Sequence, residues 1–159
     1  MKILIINGPN LNMLGIREPS LYGRQDHDAL EAYCRNCCRE LAVQFSDRIP
    51  DGIDCDIFQS NHEGSLVDRI QQAYFDHADG IVINPAAYTH TSVAILDALK
   101  AVSIPAVEVH LTDIQEREPF RRISYAGMAC EQHFAGQGFE SYRLALTYLV
   151  QTYGKGKER

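Results

Sequence analysis

Four short apolar runs punctuate this chain: Ile3–Ile6, Ile53–Phe58, Gly80–Ile83 and Ile104–Val107. Several lack the polar alternation of a half-exposed strand, which is the pattern of strands buried on both faces of a parallel sheet. Longer amphipathic stretches separate them. The pattern predicts strands at Lys2–Asn7, Ile53–Gln59, Gly80–Asn84 and Pro105–His110, and a further short strand within Met128–Ala135. It predicts helices over Asp26–Ser46, Glu63–His77, Thr91–Val102 and Phe139–Tyr153. Ser60-x-x-Glu63 reads as a capping box opening the second helix. Thr91 and Ser92 read as caps of the third, which ends before Pro105.

Strands alternating with helices imply a βαβ protein with a mainly parallel sheet covered on both faces. No repeat, linker or low-complexity segment interrupts it. The 159 residues read as one domain, 1–159, with a frayed tail at 154–159. The stretch 8–25 is long for a connection in such a domain, and loops of that length often act as lids or binding loops.

The segments after the apolar runs carry the chemistry. NGPNLNMLGIREPSLYG occupies 7–23, QSNHEG 59–64, NPAAYTHTS 84–92 and EVHLTD 108–113. Ligands of open α/β sheets sit beyond the carboxyl ends of the strands. Asn10, Asn12, Arg17, Tyr22, Asn61, Asn84, His90 and His110 can therefore converge on one crevice. Glu108 and His110 lie two apart on a strand and share a face. A carboxylate beside an imidazole orients it and favours its charged form, which suits a general acid; the plainer reading is a structural ion pair. Tyr22 and Arg17 share the long loop. A phenol ordinarily titrates near ~10, and making about a tenth of it phenolate at pH 7 takes ~2.7 kcal/mol. An arginine ~4 Å away, at an effective dielectric of ~20, supplies roughly 4 kcal/mol. The plainer reading is an exposed Tyr-Gly turn beside a surface arginine. The asparagines are turn formers or polar contacts. Arg121 and Arg122 are solvated charges or clamps on a polar ligand.

Composition narrows the classes. Apolar residues make up 45% of the chain, and 15 basic against 21 acidic residues give a net charge of −6. No basic stripe is visible, so a nucleic-acid surface is disfavoured. No run approaches the ~20 apolar residues of a membrane span, and Ile3–Ile6 is too short for a secretory signal. The expectation is a cytoplasmic protein. Cys34, Cys37, Cys38, Cys55 and Cys130 form an odd set that suits reduced thiols. Cys34 and Cys38 share a helix face as packing thiols or, less simply, as metal ligands without a completing set. Phosphate-loop, dinucleotide and serine-elbow motifs are absent. Lys2, Lys100, Lys155 and Lys157 do not follow strands, which disfavours Schiff-base chemistry. Acid–base chemistry by tyrosine and histidine, with neither metal nor cofactor, is what remains.

The motifs NGPNLNMLGIREPSLYG, QSNHEGSLVDRI, INPAAYTHTSVAILDAL, VEVHLTDI and REPFR, in this order across roughly residues 1–150, make the chain resemble the type II 3-dehydroquinate dehydratases. The resemblance implies a flavodoxin-like three-layer sandwich around a central parallel five-stranded sheet. It implies a dodecamer built as four trimers. It also implies anti elimination of water from 3-dehydroquinate through an enolate, in the shikimate or quinate pathway. By the same resemblance Tyr22 is the base, Arg17 activates it and His110 is the acid. Asn12 holds a water against the enolate oxygen. Asn84, Leu111 and Thr112 hold the substrate carboxylate, and Arg121 and His90 bind ring hydroxyls. Asp97 reaches a neighbouring subunit's site. The chain departs from the family at Ala86, usually Gly, and at Asp113, usually Asn. Gln115 and Glu116 replace a common His-Ala, and Glu131–His133 is more polar than the usual fifth strand. Two other readings of the scaffold are a flavin or phospho-receiver module and a non-catalytic, oligomeric binding protein. A receiver would need clustered acids after the first strand and a late loop lysine, and Asn7-Gly8-Pro9 stands there instead.

Overall fold

A computed structural model of the chain describes residues 1–16 and 25–154. Five strands, β1 (Lys2–Asn7), β2 (Asp54–Gln59), β3 (Gly80–Asn84), β4 (Ala106–His110) and β5 (Gln132–Ala135), form one sheet in the order β2-β1-β3-β4-β5. Every pairing is parallel. The helices are α1 (His27–Gln44), α2 (Glu63–Phe75), α3 (Val93–Val102) and α4 (Glu140–Tyr153).

Strand parity divides the core in two. Ile3, Ile5, Val82, Val107 and Val109 pack with Leu30 and Leu41 of α1 and Leu146 and Leu149 of α4. Leu4, Ile6, Ile81 and Ile83 pack on the other face with Leu66 and Ile70 of α2 and Ile95 and Leu99 of α3. That is a three-layer sandwich, and it explains the uninterrupted apolar runs in β1 and β3: both faces of these strands are buried. Cys34, Cys37 and Cys38 lie in the first core as free, buried thiols. Among the described residues no helix is long and apolar enough to cross a membrane.

The observed helices are one to three residues shorter than the sequence pattern predicts, and two of the shortened ends have a clear local cause. Helix α2 stops at Phe75 because His77 turns left-handed, with φ +56°. Helix α3 begins at Val93 because a 3-10 turn occupies Ala86–His90. Its cap is Ser92 alone, whose hydroxyl accepts from the Ile95 N–H at 2.9 Å. The capping box at α2 does not form. Ser60 Oγ accepts from the His62 N–H at 3.0 Å instead, and His62 occupies the cap position without a side-chain bond. β4 begins at Ala106, after Pro105, which has no N–H to donate to the ladder.

The chain leaves β1 for β2 on one side and then crosses to β3 on the other. The connections that leave the adjacent carboxyl ends of β1 and β3 therefore run to opposite sides of the sheet, which opens the kind of crevice where α/β sheets bind ligands. Two features hold those ends close. The Gly8 N–H donates to the Asn84 carbonyl at 2.7 Å, and a Cβ on Gly8 would collide with the Pro85 carbonyl. Behind them, the fully buried Tyr142 hydroxyl donates to Asn7 Oδ1 at 2.7 Å and accepts from Asn84 Nδ2 at 2.9 Å. Burial pushes the Tyr142 phenol well above its ordinary range, so it stays a neutral crosslink between α4 and two strand ends.

Candidate active site

The crevice is a cavity of about 300 Å³ walled by the segments after three strands. Pro9, Asn10, Leu11, Met13 and Leu14 come from the β1 loop; Asn84, Ala86, Ala87 and His90 follow β3; His110, Leu111, Thr112 and Ile114 follow β4; Arg117 and Arg121 close the rim. A volume of this size, part apolar and part polar, suits a small molecule.

At its base lies a buried polar cluster. Glu108 and His110 are on the same face of β4, and Glu108 is fully buried. His110 donates through Nε2–H to Glu108 Oε1 at 2.9 Å. That bond fixes the ring's orientation and leaves Nδ1 as the nitrogen free to exchange a proton. On the other carboxylate oxygen, His133 of β5 donates through Nδ1–H to Oε2 at 3.0 Å. The parallel register pairs Glu108 directly with His133, so the sheet itself makes this contact. The Thr89 hydroxyl bonds to Oε1, and Ser124 Oγ lies 2.9 and 2.7 Å from Oε1 and Oε2. Ser124 in turn accepts from the Gly127 N–H at 2.8 Å. Gly127 has no room for a side chain, because a Cβ would sit 2.5 Å from Glu108 Oε2.

Burial alone would raise the Glu108 carboxyl. The bonds from His110, His133 and Thr89 outweigh it and hold Glu108 well below the usual carboxylate range. The result is a fixed negative charge behind the histidine. Bonding to that charge raises His133 above an ordinary histidine, against its partial desolvation. His90 is lowered, chiefly by desolvation; its Nδ1–H donates to the Ile123 carbonyl at 2.7 Å. Glu108, His110 and His133 offer ligand atoms within 4.8 Å of one another, a spacing that would also admit a metal ion. Each imidazole already spends an N–H on the carboxylate, so the set is satisfied as a hydrogen-bonded network.

The residues expected from the sequence divide into three groups. Asn10, Asn84, His90, His110, Leu111, Thr112 and Arg121 line the cavity, and Glu108 backs it. Asn84 is largely committed to structure: Nδ2 serves Tyr142, and Oδ1 accepts from the Ala86 N–H at 3.2 Å. Asn12 and Asp97 lie outside the cavity wall. Asn12 is exposed, its Oδ1 3.5 Å from Gln59 Nε2, and Asp97 is exposed on α3. Asn61 serves the β1 loop, accepting from the Asn10 N–H at 2.9 Å. Arg17 and Tyr22 lie outside the described residues.

Thr89, Arg117, Ser124, Gly127 and His133 also belong to the site, although the sequence reading does not assign them to it. For His133 a signal exists: a polar residue in a strand otherwise expected to be apolar. For Thr89 it is the Thr-His-Thr-Ser run. Ser124 and Gly127 stand in an unremarkable loop. Asp113, where the resemblance has Asn, caps the next turn by accepting from the Gln115 N–H at 2.8 Å.

Comparison with known proteins agrees with this architecture. The family model for dehydroquinase class II matches residues 1–150. The 3-dehydroquinate dehydratase of Fusobacterium nucleatum is 47% identical over 155 residues, covering 98% of this chain and all of that protein (100%). That of Caldicellulosiruptor bescii is 48% identical over 151 residues, covering 94% of this chain and 97% of its own. The crystal structure of the type II dehydroquinase from Butyrivibrio crossotus superimposes with a TM-score of 0.81 at 47% identity, covering 94% and 97% of the two chains. That from Propionibacterium acnes does so with 0.84 at 39% identity, covering 94% and 96%. Sequence, fold and the β4 Glu-His pair thus lead to one assignment: the chain belongs to the class II dehydroquinase family.

Proposed function

We propose that this enzyme is a 3-dehydroquinate dehydratase that removes water from 3-dehydroquinate in the anti sense, through an enolate, to give 3-dehydroshikimate. The observation that carries the reading is the buried Glu108–His110 pair opening onto a cavity rimmed by Arg117 and Arg121. A β-hydroxy ketone loses water in two proton transfers. A base takes the proton beside the carbonyl, and an acid protonates the departing hydroxyl.

His110 is the acid. Glu108 holds it by Nε2–H, so the proton it delivers is the one on Nδ1. Tyr22 is the base and Arg17 activates it, on the family resemblance of the REP and YG steps. The same resemblance has Asn12 hold a water against the enolate oxygen. Asn84 with Leu111 and Thr112 takes the substrate carboxylate, and His90 and Arg121 take ring hydroxyls. Arg117 and Arg121 share the single carboxylate of Glu118, which leaves the rim a net positive charge that suits an anionic substrate. Neither metal nor organic cofactor is required for these steps. The assembly is a dodecamer of four trimers in which Asp97 serves a neighbouring site, and the enzyme works in the cytoplasm.

Ultraviolet absorbance of the conjugated enone product tests the reading. Wild-type protein should form it from 3-dehydroquinate in the presence of EDTA. Tyr22→Phe should bind substrate yet lose turnover by roughly 10²–10⁴-fold, the usual contribution of an acid–base group. Raising pH should partly rescue Arg17→Ala but not Tyr22→Phe. A Tyr22→Phe enzyme keeping more than about a tenth of wild-type turnover would remove tyrosine from the base role.

A further inference from the structure

The Glu108 carboxylate serves two imidazoles. Its Oε1 accepts from His110 at 2.9 Å and its Oε2 from His133 at 3.0 Å, with the ring centres 5.5 Å apart. His110 faces the cavity, whereas His133 does not line it. The His133 side chain keeps 39% of its surface exposed.

We propose that His133 is a positioning residue of the active site, a second cation that shares Glu108 with His110 and so makes His110 release its proton more readily. The inference rests on the acid role of His110 in the dehydratase reading. When His133 carries a proton, Glu108 is already neutralised, and a second positive charge on His110 is opposed. When His133 is absent, the whole carboxylate charge serves His110. The three groups titrate as one coupled unit. The bond to Glu108 and its charge both raise His133, which favours its charged form.

Among the described residues the charged and titratable surroundings are few. Glu108 and His110 face His133 from β4, and Asp113 adds a negative charge from the following loop. Cys130 precedes β5 and is kept neutral by burial. His90 and Arg121 approach the cluster from the cavity side. α4 also packs against β5, and its Tyr148 hydroxyl donates to Glu131 at 3.0 Å.

His133→Val and His133→Gln test this. Valine suits a strand, and Ser124 still occupies Glu108 Oε2 at 2.7 Å, so the carboxylate keeps a partner. Glutamine can donate to Oε2 but carries no charge. Both variants should move the high-pH limb of kcat upward by about one pH unit, with KM for 3-dehydroquinate changed less than about twofold. In substrate-free protein, the titration midpoint of the His110 ring-carbon resonance should move the same way. That second readout needs no turnover, so it separates failure of this inference from failure of the dehydratase reading. Limbs and midpoints coinciding with wild type in both variants would overturn the proposal. So would a glutamine variant that restores wild-type behaviour while valine does not, since the hydrogen bond rather than the charge would then carry the effect. A zinc-dependent shift of the wild-type profile, abolished by EDTA, would overturn it in favour of a metal shared by the three side chains.

Discussion

Ala86 lines the cavity in a left-handed conformation, with φ +51°. The Cβ of an L-residue crowds the following carbonyl there, at a cost of roughly 1–2 kcal/mol. The glycine that the family resemblance implies at this step would have a physical reason, and this chain accepts strain in its place. Ala86→Gly should raise stability by about 0.5–1 kcal/mol, read as a higher denaturation midpoint in urea, because relief of that strain exceeds the entropy lost to glycine's freer unfolded chain. A lower midpoint would show that the methyl's contacts outweigh the strain. At this same scale the site is half legible in the sequence. Glu108 and His110 stand two apart and announce a shared face. Ser124, in a loop, and Gly127, in the 3-10 turn that follows, carry no sequence signal; their role exists only because the chain folds a buried carboxylate against them.

The interior strands are readable because burial on both faces leaves an unbroken apolar run, as in β1 and β3. β5 is the weakest expectation. It is a short edge strand, and its Gln132 and His133 are exposed, so no apolar run marks it. The start at Glu63 and the ends at Val102 and Tyr153 agree with the pattern, whereas other helix ends read one to two residues too long, because periodicity does not register a left-handed residue such as His77 or a preceding 3-10 turn. The capping box fails for a local reason: Ser60 bonds two residues on rather than three, a competing turn that the Ser-x-x-Glu spacing cannot distinguish. His133 lies at the junction of residue and element. Its chemistry is visible in the sequence, but its partner is not. Only the parallel register of β4 and β5 brings residues 25 positions apart onto one carboxylate.

Across the whole molecule, the order β2-β1-β3-β4-β5 puts three catalytic-looking loops at one end and the helices' apolar faces elsewhere. Asp97 is exposed and lies outside its own chain's cavity. Val93, on the same helix, is an exposed apolar side chain, as are Phe120 and Met128. These features fit the proposed dodecamer, in which Asp97 serves an adjacent subunit. Light scattering at micromolar concentration should return twelve chains per particle, and a monomer would leave Asp97 without a site.

The central claim is that the β4 imidazole, held by its buried carboxylate, supplies the proton to the departing hydroxyl. Steady-state enone formation by His110→Ala tests it most directly, alongside thermal stabilisation by substrate to verify binding. The account predicts that kcat falls by roughly 10²–10⁴-fold while 3-dehydroquinate still stabilises the protein. A folded His110→Ala enzyme within about tenfold of wild-type kcat, against that 10²–10⁴-fold expectation, would contradict it.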